Sequence, residues 1–122
     1  MTKSPVRWLN EPEDHNYPAA LSYLSLMYDR KLAKEIVGRL KRARPLEFKA
    51  KDIFRASRLS LLGVSNSHVE RDQRKIAGGT PLSPLLLVRG PGRGELTIAD
   101  GYHRLCAVYA LDEDALIPCR IV

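Results

Sequence analysis

The apolar pattern of this chain predicts an α+β fold, and three observations carry that prediction. Leu21, Leu24, Tyr28, Leu32, Ile36 and Leu40 recur every three or four residues, which draws one buried stripe along a helix. Leu85-Leu86-Leu87-Val88 is a short, wholly apolar run that follows Pro81 and Pro84, the pattern of a buried strand. Leu96-Thr97-Ile98-Ala99 then passes through Gly101 into Leu105-Cys106-Ala107-Val108-Tyr109-Ala110, a strand that turns at a glycine into a helix.

The elements follow in order. Residues 1–17 read as an irregular arm containing Pro5 and Pro12, with Trp8 and Leu9 pinning it to the core. A helix starts near Pro18, with Asn16 as its candidate cap, and runs to about Arg42, because Pro45 disfavours helical geometry at Arg44. A break between Tyr28 and Leu32 stays open. Leu46 to Ala50 alternates as a short strand, and Lys51 to Arg58 forms a turn of helix that turns Ile53 and Phe54 inward. Residues 59–66 are a loop with apolar content. Ser67-His68-Val69-Glu70 fits a capping box, with Gly78-Gly79 as the stop, which frames a helix over 68–77. After the 85–88 strand, residues 90–94 make a tight connection and Glu95 to Ala99 returns as a second strand. A helix over 102–111, a turn at 112–114 and a strand over 117–122 close the chain.

At 122 residues the chain suits one compact unit, with an N-terminal arm and helix (1–45) followed by the remainder (46–122). No apolar run approaches the roughly 20 residues that a membrane-spanning helix needs, and no apolar h-region follows Met1-Thr2-Lys3-Ser4-Pro5. Cys106 and Cys119 are too few and too far apart for a disulfide framework, so both are expected reduced and buried in a cytoplasmic protein. No metal site is expected, since His15 and His68 have no partners at ligand spacing. The net charge of +6 is concentrated between Arg30 and Arg58, which suits a polyanionic partner. Arg39, Lys41 and Arg42 are the candidate contacts for nucleic acid, and the 21–40 stripe is either core or a homodimer face.

Asp100-Gly101-Tyr102-His103-Arg104 is the strongest functional signal. A helix that begins at such a turn leaves its first N–H groups unpaired, and together with the helix dipole they attract anions. His103 and Arg104 add donors in the first turn, and Arg favours bidentate phosphate contact. The alternative reading of the same residues is structural. Asp100 would then cap the helix, His103 would bond a neighbouring loop, and Arg104 would pair with Glu95 or Glu70.

From about Phe48 to Val122 the chain resembles the ParB/sulfiredoxin superfamily. Pro84-Leu85-Leu86-Leu87-Val88 is similar to its central strand, Asp100 to Arg104 to its phosphate-binding turn, and Ile117 to Val122 to its closing strand. The resemblance implies a small mixed sheet with flanking helices, preceded here by the N-terminal helical segment. Tyr102 stands where sulfiredoxins place their attacking cysteine, so sulfinic-acid repair is not expected. The D-G-x-H-R form is closer to ParB-fold free-serine kinases and related ParB-like domains than to the G-E-R-R turn of partition proteins. By that resemblance Asp100 would be the catalytic residue, orienting a substrate hydroxyl or magnesium, while Gly101, Tyr102, His103 and Arg104 bind phosphate. The cofactor implied is a nucleotide with Mg2+, and any reaction would be phosphoryl transfer or nucleotide hydrolysis. The segment from Ser57 to Ser67 contains no Asp or Glu to act as a base. The alternative function is a non-enzymatic nucleic-acid-binding or protein-interaction module that uses the basic 30–58 surface.

Overall fold

A four-stranded mixed sheet organises the chain, whose computed structural model describes residues 6–60, 66–90 and 95–122. In chain order the elements are α1 (Asn16–Leu24), α2 (Arg30–Arg42), β1 (Leu46–Lys49), α3 (Ala50–Ser57), α4 (Ser67–Ala77), β2 (Leu85–Arg89), β3 (Leu96–Asp100), α5 (Tyr102–Leu111) and β4 (Leu116–Ile121). The strand order is β1-β4-β2-β3. β1 pairs antiparallel with β4, β2 parallel with β4, and β2 antiparallel with β3. The architecture is α+β, as the patterning predicts.

Both faces of the sheet are covered. Leu85, Leu87, Ile98, Ile117 and Cys119 face one way and pack with Ile53 of α3, Val69 and Ile76 of α4, and Leu105 and Val108 of α5. Leu86, Val88 and Ala99 face the other way and meet Ala20 and Leu24 of α1 with Ala33, Ile36, Val37 and Leu40 of α2. Of the 21–40 stripe, Leu24, Ile36 and Leu40 are buried in this core, Leu21 and Tyr28 are partly buried against it, and Leu32 is exposed. β2 alternates between the two cores, and a strand buried on both sides reads as continuous apolar sequence.

The N-terminal helix is two helices. Asp29, in extended conformation, accepts a hydrogen bond from the Leu32 N–H at 2.9 Å and starts α2, so the break spans 25–29 and reaches into the expected interval between Tyr28 and Leu32. Asn16 does not cap α1; it lies inside the helix and is buried. In α4 the cap is Asn66, whose side chain accepts from the N–H groups of His68 and Val69, so the capping box centred on Ser67 does not form. Glu70 instead pairs with Arg74 at 3.4 Å. Most of the expected 59–66 loop and 90–94 connection (residues 61–65 and 91–94) lies outside the described residues. The arm is pinned as expected: Leu9 N–H donates to the Leu82 carbonyl and Leu82 N–H to the Arg7 carbonyl, around a Trp8–Leu82 bridge.

Cys106 and Cys119 are buried and neither forms a disulfide. Burial pushes the Cys119 thiol up to about 12, so it is inert at neutral pH. Among the described residues no helix is long and apolar enough to cross a membrane.

Because α2 closes one of the two cores, Leu40→Ala is expected to cost about 2–5 kcal/mol. Urea unfolding followed by far-UV circular dichroism and by Trp8 fluorescence should show one coincident transition at a lower midpoint. Two separate transitions would mean that residues 1–45 fold apart from the rest.

Candidate functional site

Where β3 ends and β2 begins, a polar cleft of about 230 Å³ opens beside the 100–104 turn. β3 carries an extra residue here, since Leu86 pairs with Asp100 while Leu87 pairs with Ile98. Such a bulge re-aims the end of a strand. Gly101 then turns the chain with φ of +112°. A Cβ at this position would lie 2.7 Å from Leu85 Cγ and 2.9 Å from Arg104 Nη2, so only glycine fits both the backbone and the space.

Gly101 is the N-cap of α5, and no side chain caps the helix. The first bond inside the helix runs from the Leu105 N–H to the Gly101 carbonyl at 2.9 Å. The N–H groups of Tyr102, His103 and Arg104 therefore have no partner within the helix. Asp100 leaves them uncapped because its carboxylate is engaged elsewhere.

That engagement is with Arg104. Its Nη2 donates to Asp100 Oδ2 at 3.2 Å, and more weakly to the Pro84 carbonyl at 3.4 Å and Asn16 Oδ1 at 3.5 Å. The expected alternatives go elsewhere, Glu95 to Arg58 at 3.7 Å and Glu70 to Arg74 at 3.4 Å. Asn16 Oδ1 also accepts from the Ser83 hydroxyl, which itself accepts from the Glu13 N–H at 3.0 Å. Arg104 thereby ties the turn to the N-terminal arm. Burial pushes the Asp100 carboxyl above its ordinary range, and the opposing pull of Arg104, then of His15, is smaller.

Tyr102 donates its hydroxyl to the Ser60 carbonyl, which holds the start of α5 against the segment after α3. The His103 ring lies 4.8 Å from that of His68 and 5.6 Å from that of Tyr102, centroid to centroid. Burial lowers its pKa first and His68 second; Asp72 pulls it back up, and Arg71 and Arg104 press it down further.

The other wall is α4, which the sequence reading left out of the site. Arg71, Asp72 and Lys75 line the cleft opposite the turn. Asp72 is only 4% exposed, and among the described residues its carboxylate takes no hydrogen bond or ion pair. The signal was present in the pattern: Val69, Asp72 and Ile76 share one buried face, and a carboxylate at a core position calls for an explanation.

The cleft is below the roughly 300–1,000 Å³ of pockets that enclose drug-sized ligands. It suits a phosphate with a small organic part, or the phosphate end of a nucleotide. A resident magnesium ion fits poorly, because Arg71, Lys75 and Arg104 already bring positive charge and Asp100 is held by Arg104. A larger apolar cleft of about 380 Å³ lies at the opposite end of β2, lined by Phe48, Ile53, Leu87, Leu96 and Ile121. Asp52, Arg89 and Glu95 are the charged residues among its described lining. The basic residues of α2 stand apart from the turn: Arg39 and Arg42 border a shallow groove with Lys34 and Glu35, while Lys41 sits 5.4 Å over the Tyr17 ring.

Compared with family models, curated proteins and solved structures, the chain matches none.

Two outcomes follow from this geometry. Gly101→Ala should cost at least about 1–3 kcal/mol through its positive φ, with the Leu85 contact adding to it, and thermal unfolding would measure the loss. His103 prefers its neutral form when folded, whereas in the unfolded chain it takes a proton near the ordinary value of about 6.5. Stability should therefore decline as pH falls from about 6.5 through the lower folded value. His103→Gln should shrink that decline in urea midpoints compared between pH 8 and pH 5.5, and an unchanged decline would place its origin elsewhere.

Proposed function

We propose that this chain is a ParB/sulfiredoxin-like domain that binds a small phosphorylated ligand, or the phosphate end of a nucleotide, at the 100–104 turn. The observation that carries the reading is the uncapped N-terminus of α5, which opens into a polar cleft faced by Arg71 and Lys75. The unpaired N–H groups of Tyr102, His103 and Arg104 would take phosphate oxygens, and the two α4 cations would supply the counter-charge. Gly101 is what allows the turn to bring these donors close. Arg104 serves mainly to position the turn, since its Nη2 faces Asp100, Pro84 and Asn16.

Binding is the activity that the geometry supports. Asp100 as a catalytic group would have to act while paired to Arg104, and no reaction is assigned to it. The nucleic-acid alternative rests on the charge of Arg39, Lys41 and Arg42, of which Arg39 and Arg42 border one shallow groove and Lys41 lies over Tyr17.

The test is a thermal-shift panel with inorganic phosphate, ATP, CTP, ADP and GTP, each with and without magnesium. A ligand at about 100 times its Kd should add about 2.7 kcal/mol, a rise of several degrees for a domain of this size. The exposed pair Arg71→Ala and Lys75→Ala should abolish the rise without lowering the melting temperature of the unliganded chain. Charge reversal at Arg39 and Arg42 should leave the rise intact. If neither phosphate nor any nucleotide moves the curve, the phosphate reading fails.

A further inference from the structure

The cleft beside the turn is balanced in charge, which a site for a plain anion would not be. Arg71, Lys75 and Arg104 face Glu13, Asp72 and Asp100 across it. Arg104 Nη2 pairs with Asp100 at 3.2 Å, although Arg104 Nε is buried without a hydrogen-bond partner among the described residues. Two cations on α4 and two carboxylates remain. Glu13 is exposed and lies 4.0 Å from His15. Asp72 is different: it is 4% exposed, it lines the cleft, and among the described residues it has neither a hydrogen bond nor an ion pair.

Asp72 acts on His103 across the cleft, but burial holds that ring toward its neutral form. A carboxylate at this enclosed position thus has no cation paired with it and is unfavourable unless something else completes it. The neighbouring positions on that face of α4, Val69 and Ile76, are apolar, so packing alone does not call for an acid there. An anion placed against Arg71 and Lys75 would leave Asp72 uncompensated and would repel it. A positively charged donor on the same ligand would remove both difficulties, because hydrogen bonds between ionised partners are the strong ones. The small volume of the cleft, about 230 Å³, keeps that donor a few bonds from the phosphate.

Resting on the phosphate reading above, we infer that the ligand is a zwitterion of the aminoalkyl phosphate class, whose phosphate meets the α5 N-terminus, Arg71 and Lys75 and whose ammonium is accepted by Asp72. Asp72 is then the residue that selects the ligand, and the α5 N-terminus the feature that anchors it. Recognition by opposite ends also explains why an overall basic chain keeps carboxylates in this cleft.

Calorimetric titration of the full chain with 2-aminoethyl phosphate and with propyl phosphate tests this, since the two differ chiefly in the ammonium group. The amino compound should bind about tenfold tighter, the ratio that corresponds to about 1.4 kcal/mol for one charge-assisted contact. Asp72→Asn, which keeps the shape and removes the charge, should erase that preference, with propyl phosphate binding at least as tightly as before because the repulsion from Asp72 is gone. Its melting temperature should equal or exceed that of the parent, because a buried charge is gone. If both compounds bind equally to the parent chain, the zwitterion inference is overturned and the phosphate reading stands. If neither binds, the zwitterion inference falls, and the phosphate reading is decided by the phosphate and nucleotide panel above. A preference that persists in Asp72→Asn would remove Asp72 from recognition and overturn the inference as stated.

Discussion

Everything in this fold depends on β2 being apolar on both faces. Leu85 and Leu87 look into one core, Leu86 and Val88 into the other, and none of the four can be left to water. Burying roughly 1.5–3 kcal/mol of side-chain transfer energy at each position requires a helical layer on either side. One layer comes from α3, α4 and α5 around the strands that follow them. The other comes from α1 and α2, which is why the N-terminal segment is integral to the structure. The same strand locates the site. β3 runs back along β2, so the turn after Asp100 arrives beside Pro84 and Leu85, against the strand's own beginning.

At that meeting point one guanidinium joins the parts. Arg104 reaches Asp100 on its own turn, the Pro84 carbonyl before β2 and Asn16 in α1. Asp100 is nonetheless pushed toward its neutral form, because burial opposes its charge more than Arg104 supports it. The pair is therefore a device of position more than of stability, as buried ion pairs often are. This divides the labour within five residues. Asp100 and Arg104 hold the turn, Gly101 permits it, Tyr102 anchors the helix to Ser60, and His103 and the uncapped first turn of α5 border the cleft.

Much of this was legible in the chain itself, and the parts that were not share a cause. The 102–111 helix, the 85–88 strand and the strand leading to Asp100 were clear because Gly and Pro bound short runs of unmistakable pattern. The start of the break in the N-terminal helix was missed because Ser25-Leu26-Met27-Tyr28 contains no Gly or Pro to mark it. Its signals are local bonds, the Ser25 hydroxyl to the Leu21 carbonyl at 2.7 Å and the Asp29 cap. The capping box failed because Asn66, one residue earlier, offers an equally good acceptor. Asp72 was passed over because a linear scan asks which carboxylate comes next after the loop, and Glu70 comes first. The helix asks which face each occupies, and on α4 Glu70 faces water whereas Asp72 lies with Val69 and Ile76.

The chain's basic character invites a similar misreading. Net charge describes the field felt at a distance, and it governs how a polyanion is attracted more than what is recognised. Here the positive excess lies along α2 and α3, on solvated faces that water and salt screen. The polar cleft, where screening is weakest, instead sets Arg71, Lys75 and Arg104 against Glu13, Asp72 and Asp100. What a small ligand meets in the cleft is the charge of these few neighbours, so the local balance counts for recognition more than the global sum. Asp72, which makes no hydrogen bond or ion pair among the described residues, lines the same cleft as the uncapped start of α5, so groups that favour opposite charges meet there.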